Sequence, residues 1–125
     1  MRSEAPLITD APSPLRPLLD FAVDQIARLS TVEVGGQAEP VLDMLLHNHG
    51  VHAAELARLI GVAVPEGDAT VDADPVAELL ELEKDGMEQA VEACVAADAT
   101  YATLLGEIAA CRATHADALE AVHGG

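Results

Sequence analysis

From Leu42 to Ile60 the chain reads L-D-M-L-L-H-N-H-G-V-H-A-A-E-L-A-R-L-I, with Leu42, Leu45, His49, His52, Leu56 and Leu59 recurring at intervals of three and four. That spacing places all six on one face of an α-helix. A strand does not accommodate it, because side chains alternate faces at every residue there. Two histidines therefore stand where leucines would complete the stripe. Burying an unpaired polar atom costs about 1–3 kcal/mol, so each imidazole needs a hydrogen-bond partner or a metal ion, and other segments must supply it.

Three further segments carry the same period. Leu15, Leu18, Leu19, Ala22, Val23, Ile26 and Leu29 form an apolar face after Ser13-Pro14, a capping residue followed by a proline suited to a first turn. Asp74-Pro75 opens another helix, with Val76, Leu80, Glu83, Met87, Ala90 and Cys94 along one seam. Leu104, Ile108, Cys111, His115, Leu119 and Val122 mark the last. Half the residues are apolar, yet there is one Phe, one Tyr and no Trp, so the core is built from Leu, Val, Ala, Ile and Met, the palette of helix-on-helix packing. The expectation is an all-α four-helix bundle of residues 14–123 with helices near 14–31, 37–61, 74–98 and 101–122. A disordered N-terminal tail, residues 1–13, precedes it, since Pro6 and Pro12 stand in a stretch without periodicity. Gly50 inside the second helix costs about 1 kcal/mol relative to alanine, and marks either a close approach of a neighbouring helix or a kink.

Six Lys and Arg against 22 Asp and Glu give a formal net charge of −16. Such a surface repels phosphate backbones and anionic headgroups, which argues against nucleic acid and membrane partners. It is compatible with attracting cations or a basic protein, and its simplest reading is a solvated surface that keeps the protein soluble; a homodimer or a protein partner is left open. The N-terminus lacks the apolar run of a signal peptide and no stretch approaches the ~18 apolar residues of a membrane span, so a cytoplasmic protein is expected. Cys94 and Cys111 are too few for a disulfide framework and are expected as thiols.

Reflecting seam positions across the turns brings the polar ones together. A turn near residue 99 levels Glu83 with His115. Treating residues 61–73 as a direct reversal levels His52 with Glu83 and leaves His49 one turn away. His49, His52, Glu83 and His115 are thus candidate ligands for a transition metal, since imidazole nitrogen and carboxylate oxygen suit Zn²⁺, Fe²⁺, Mn²⁺ or Cu²⁺. Glu55, Glu107 and Glu120 are reserve carboxylates. The competing reading is a non-catalytic acidic helical interaction or structural module, whose core histidines are satisfied by hydrogen bonds and which holds no cofactor. His47 and His123 fall off the stripes and are expected in solvent. No glycine-rich phosphate loop, G-x-S-x-G elbow or Cys-x-x-Cys pair occurs.

The stretch V-L-D-M-L-L-H-N-H-G-V-H-A-A-E-L-A-R-L-I-G-V-A-V-P, with Y-A-T-L-L-G-E-I-A-A-C-R-A-T-H-A-D-A-L in the last helix, resembles the ferritin-like superfamily, in particular its small bacterial domains of uncharacterised function. The resemblance spans roughly residues 14–122 and implies a bundle with a metal site in its core. The pattern departs from a di-iron centre, which draws a Glu from each of two helices and a Glu-x-x-His from each of the other two. Here helix 1 offers Asp20 and Asp24 but no inward Glu, and helix 2 carries His49-x-x-His52. The resemblance also implies a long crossover between helices 2 and 3, which would move His52 towards the level of Glu88 or Glu92.

Overall fold

The computed structural model describes residues 13–124. They form four helices, α1 (Arg16–Thr31), α2 (Ala38–Ile60), α3 (Pro75–Ala96) and α4 (Ala99–Gly124), and among the described residues there is no strand. The expected tail lies outside the described residues apart from Ser13. Helix α1 begins two residues later than expected, because Ser13 accepts a hydrogen bond from Leu15 N at 3.1 Å and so closes a turn ahead of the helix. At α3 the expected cap is in place: Asp74 accepts from Ala77 N and Pro75 opens the first turn. Gly61, at φ +90°, stops α2. The break between α3 and α4 is tight, with Asp98 Oδ1 accepting from Thr100 N at 2.9 Å.

Two apolar clusters give the direction of every helix. One joins Leu15, Leu18, Leu19, Ala22 and Val23 of α1 to Ala53, Leu56 and Ala57 of α2, Ala90 of α3, and Leu105, Ile108 and Ala109 of α4. The other joins Leu29, Leu42, Leu45, Leu79, Leu80, Ala116 and Leu119. Helices α1 and α4 therefore run from the first cluster to the second, and α2 and α3 run back. Adjacent faces pair α1 with α2, α3 with α4, α2 with α4 and α1 with α3.

Because α2 and α3 are parallel, residues 61–74 have to travel the length of the bundle between them. They do so along α1. Gly67 lies so close to that helix that a Cβ there would meet Val23 Cγ1 at 2.9 Å and its carbonyl at 3.0 Å, and Val71 packs against the second cluster. The direct reversal assumed for residues 61–73 is therefore incorrect, and with it the levelling of His52 with Glu83. A connection of this length exceeds what two antiparallel neighbours need. The crossover instead levels Glu83 with His49.

The close helix approach is at Gly86 rather than Gly50. A Cβ on Gly50 would meet nothing within 4 Å, whereas one on Gly86 would fall inside the Phe21 ring. Phe21 of α1 lies across α3 at this point, its ring edge-on to His49 at 5.7 Å between centroids and 4.2 Å from the Arg112 guanidinium carbon. Gly86→Ala should therefore cost about 1–3 kcal/mol through overpacking, and Phe21→Leu in the same chain should recover part of it. Urea denaturation of the single and double variants measures both, and a Gly86→Ala protein as stable as its parent would contradict the packing described.

Candidate metal centre

Between the two apolar clusters the helices contribute five fully buried polar side chains: Gln25 from α1, His49 from α2, Glu83 from α3, and Arg112 and His115 from α4. Local spacing explains why each faces inward. Gln25 follows Leu18 and Ala22 and precedes Leu29, and His49 lies between Leu45 and Ala53. Glu83 follows Leu79 and Leu80, and His115 lies between Ile108 and Leu119.

Glu83 is the hub. Its Oε2 accepts from His49 Nε2 at 2.6 Å and from Gln25 Nε2 at 2.7 Å, and its Oε1 accepts from His115 Nδ1 at 3.0 Å. Burial works against the carboxylate charge, but these bonds outweigh it and hold the group at a pKa of about 2. A carboxylate only accepts, so both imidazoles turn an N–H towards it, which fixes the tautomer of His49. Burial pushes His49 below its ordinary pKa despite its bond to Glu83, and it is neutral. Its Nδ1 is then bare, buried and without a partner.

Burial also opposes charge on His115, but its contacts with Cys111 and Glu83 prevail and raise it to about 9. The outer nitrogen of His115, Nε2, lies 2.9 Å from Asn48 Nδ2 and 3.4 Å from Cys111 Sγ; on the charged ring it carries a proton, so the Asn48 amide then has to turn its oxygen towards it. Cys111 is half-buried and free, as is Cys94, whose thiol bonds Ala102 O.

A second buried cation completes the layer. Arg112 donates to Gly86 O at 2.8 Å, Gln89 Oε1 at 3.0 Å and Leu18 O at 3.3 Å. Burial pulls it down to about 10, against the attraction of Glu83, so it stays charged at neutral pH. Neither Arg112 nor Gln25 is among the residues expected from the sequence. Arg112, four residues after Ile108 and three before His115, fits the inward stripe, but a search for apolar positions selects Cys111 instead. Gln25 is passed over for the same reason.

Three of the four expected ligands come together: one nitrogen from each of His49 and His115 and one oxygen of Glu83 lie within 4.8 Å of one another, all buried. His52 is outside this group. It lies one turn beyond His49 on α2, half-buried, with its buried Nδ1 unpartnered, and burial lowers it to about 4. The reserve carboxylates point elsewhere: Glu55 pairs with Arg58 at the surface, and Glu107 and Glu120 are exposed. His47 and His123 are exposed, as expected.

Two imidazoles and a carboxylate suit a divalent transition metal. Bonds of 2.0–2.2 Å in a tetrahedral arrangement separate ligand atoms by about 3.3 Å, whereas two of the contacts here are 2.6 and 3.0 Å. They are hydrogen-bond distances. An ion would replace the two shared protons, and the ligands would move apart by several tenths of an ångström. No protein-family model, curated protein or solved structure matches the chain. No helix among the described residues is long and apolar enough to cross a membrane.

The geometry separates the two α2 histidines. Glu83→Gln should destabilise the bundle by about 3–5 kcal/mol, because it leaves the His115 and Arg112 cations buried without their counter-charge. His52→Leu breaks no bond to Glu83 and exchanges an unpartnered nitrogen for an apolar group, so stability should hold or rise. Denaturation midpoints measured in chelator test the contrast, and equal losses in the two variants would contradict it.

The pH dependence follows from the same groups. The raised pKa of His115 contributes stability that is complete below about 6.5 and lost as pH climbs to about 9. Glu83 contributes stability that is complete above about 4.5 and lost as pH falls to about 2. Lowered His52 subtracts stability as pH falls from about 6.5 to about 4. Metal-free protein should therefore lose stability between pH 6.5 and 9, and His115→Gln should remove that slope. A flat profile in the parent protein over this interval would rule out the charged His115.

Proposed function

We propose that this chain is a small ferritin-like bundle that holds one transition-metal ion through His49, Glu83 and His115. The observation that carries the reading is the buried meeting of two imidazoles and one carboxylate from three different helices. An all-apolar layer of similar volume is often as stable as a buried ionic one, or more so. Retaining five polar side chains midway along an otherwise leucine and alanine core is therefore economical if they also bind a ligand. The ferritin-like assignment draws support from the single long crossover after α2 and from a site built in the bundle core by facing helices, both properties of that architecture.

A bound ion supplies Lewis acidity at that point. The chain's own residues set the rest. Glu83 brings one negative charge, the two imidazoles bring none once His115 gives up its proton, and Arg112 adds a positive charge close by. A second ion would find no second carboxylate among the five buried polar positions. Zn²⁺, Fe²⁺ and Cu²⁺ all accept such a set, and the nitrogen-rich balance favours Zn²⁺ or Cu²⁺.

A specific observation favours the competing reading, a structural or interaction module without metal: Glu83 already accepts three hydrogen bonds. On that reading the net charge of −16 serves solubility or a basic partner.

Reconstitution with Zn²⁺, Cu²⁺ and Fe²⁺ followed by elemental analysis and titration calorimetry distinguishes the two. One ion per chain is expected, with binding lost in His49→Ala and unchanged in His47→Ala. Affinity should weaken as pH falls below about 9, where a proton competes for His115. Absence of binding by any of the three ions at micromolar concentration would leave the module reading, and two ions per chain would refute the ligand assignment.

A further inference from the structure

Of the five buried polar side chains, three can ligate, the Arg112 guanidinium has no lone pair to offer, and Gln25 is turned so that it cannot. Gln25 Nε2 donates to Glu83 Oε2 at 2.7 Å, while its Oε1 accepts from Arg28 Nη1 at 2.9 Å. An amide can ordinarily be exchanged end for end, but here both neighbours decide the matter. A guanidinium only donates and a carboxylate only accepts, so the oxygen must face Arg28 and the nitrogen must face Glu83. An amide NH₂ has no lone pair to offer a cation. Gln25 is fully buried and comes from the one helix that provides no ligand.

We propose that Gln25, locked by Arg28, is the specificity-determining residue of the site: it holds Glu83 in place and leaves a metal ion with three protein ligands and one position open to a small exogenous donor such as water or azide. The inference rests on the metal-binding reading above. Sites closed by four protein ligands are structural, whereas three ligands with an open position exchange small molecules. Gln25 touches the ligand and not the ion, which makes it a positioning residue. Partners of this kind typically govern metal affinity by 10–100-fold.

The probe is Co²⁺, whose visible spectrum reports coordination, titrated with azide into the parent protein and three variants. In the parent, azide should shift the cobalt spectrum. Gln25→Leu should keep that shift but bind Co²⁺ 10–100-fold more weakly, since Glu83 loses a positioning bond while no fourth protein donor is gained. Gln25→Glu should bind Co²⁺ at least tenfold more tightly and lose most of the azide response, because a second carboxylate takes the open position. Arg28 is only half-buried, so Arg28→Leu tests the lock without disturbing the core: the freed amide can present its oxygen, and the azide response should fall. Should Gln25→Glu not fold, as judged by its melting curve in chelator, Arg28→Leu alone decides the point. A cobalt-loaded parent with no azide response, or variants that match the parent in affinity and spectrum, would overturn the role of Gln25 while leaving the metal site intact. A parent that takes up no Co²⁺ at all would overturn the metal reading and this inference with it.

Discussion

The carboxylate of Glu83 accepts bonds from α1, α2 and α4 while itself belonging to α3. A buried charge of this kind is tolerated only when its partners are in place, because desolvation alone costs several kcal/mol. The apolar clusters on either side are less discriminating. Leucine and alanine at helical spacing pack in several neighbouring alignments, each burying similar area. The polar layer does not: a slip of one turn by any helix removes a donor from Glu83 and leaves an imidazole or an amide facing hydrocarbon. The layer thus selects one alignment of four helices from those that hydrophobic burial alone would permit.

Around this hub two positive charges face one negative. Arg112 and His115, three residues apart on α4, both oppose the single carboxylate of Glu83. Arg112 directs its donors to backbone carbonyls of α1 and α3, Leu18 O and Gly86 O, and to Gln89. The Phe21 ring covers its face. That ring fits only because residue 86 lacks a side chain. A bulky aromatic from α1, a glycine in α3 and an arginine in α4 therefore form one packing unit beside the Glu83 hub, which accounts for the only phenylalanine of the sequence standing at this level.

Much of this arrangement is legible in the residue spacing. The three-four recurrence of Leu42, Leu45, His49, Leu56 and Leu59 specifies the helix and puts a histidine on its inner face, and the same period picks out Glu83 and His115. The topology is harder to read. Periodicity says which face of a helix is buried but nothing of the direction in which the next one runs, so the choice between His49 and His52 depends wholly on the connection. Its length is the available signal: the six residues between α1 and α2 and the two between α3 and α4 suit neighbours, and the stretch between α2 and α3 is longer than either. Gln25 and Arg112 escape a count of apolar residues, whereas a stripe is defined by position. Asking which polar residues interrupt Leu18, Ala22 and Leu29, or Ile108 and Leu119, finds both. Gly86 cannot be recognised in this way, since its role depends on a ring from a helix distant in sequence.

The crossover also decides whether one chain can complete its own bundle. A helix the length of α2 spans about 35 Å, and the segment from Gly61 to Asp74 reaches about 45 Å when extended. There is little slack. The tether follows the flank of α1 at Gly67, where even a methyl group would collide. Each hairpin it joins carries half of the polar layer, Gln25 and His49 in one and Glu83 and His115 in the other, so neither hairpin can satisfy its buried groups alone. If the tether were a few residues shorter, the two halves could complete each other only by exchange between chains, with α1 and α2 of one molecule embracing α3 and α4 of another. The length of this segment thus sets whether the bundle closes on itself or is shared between two copies.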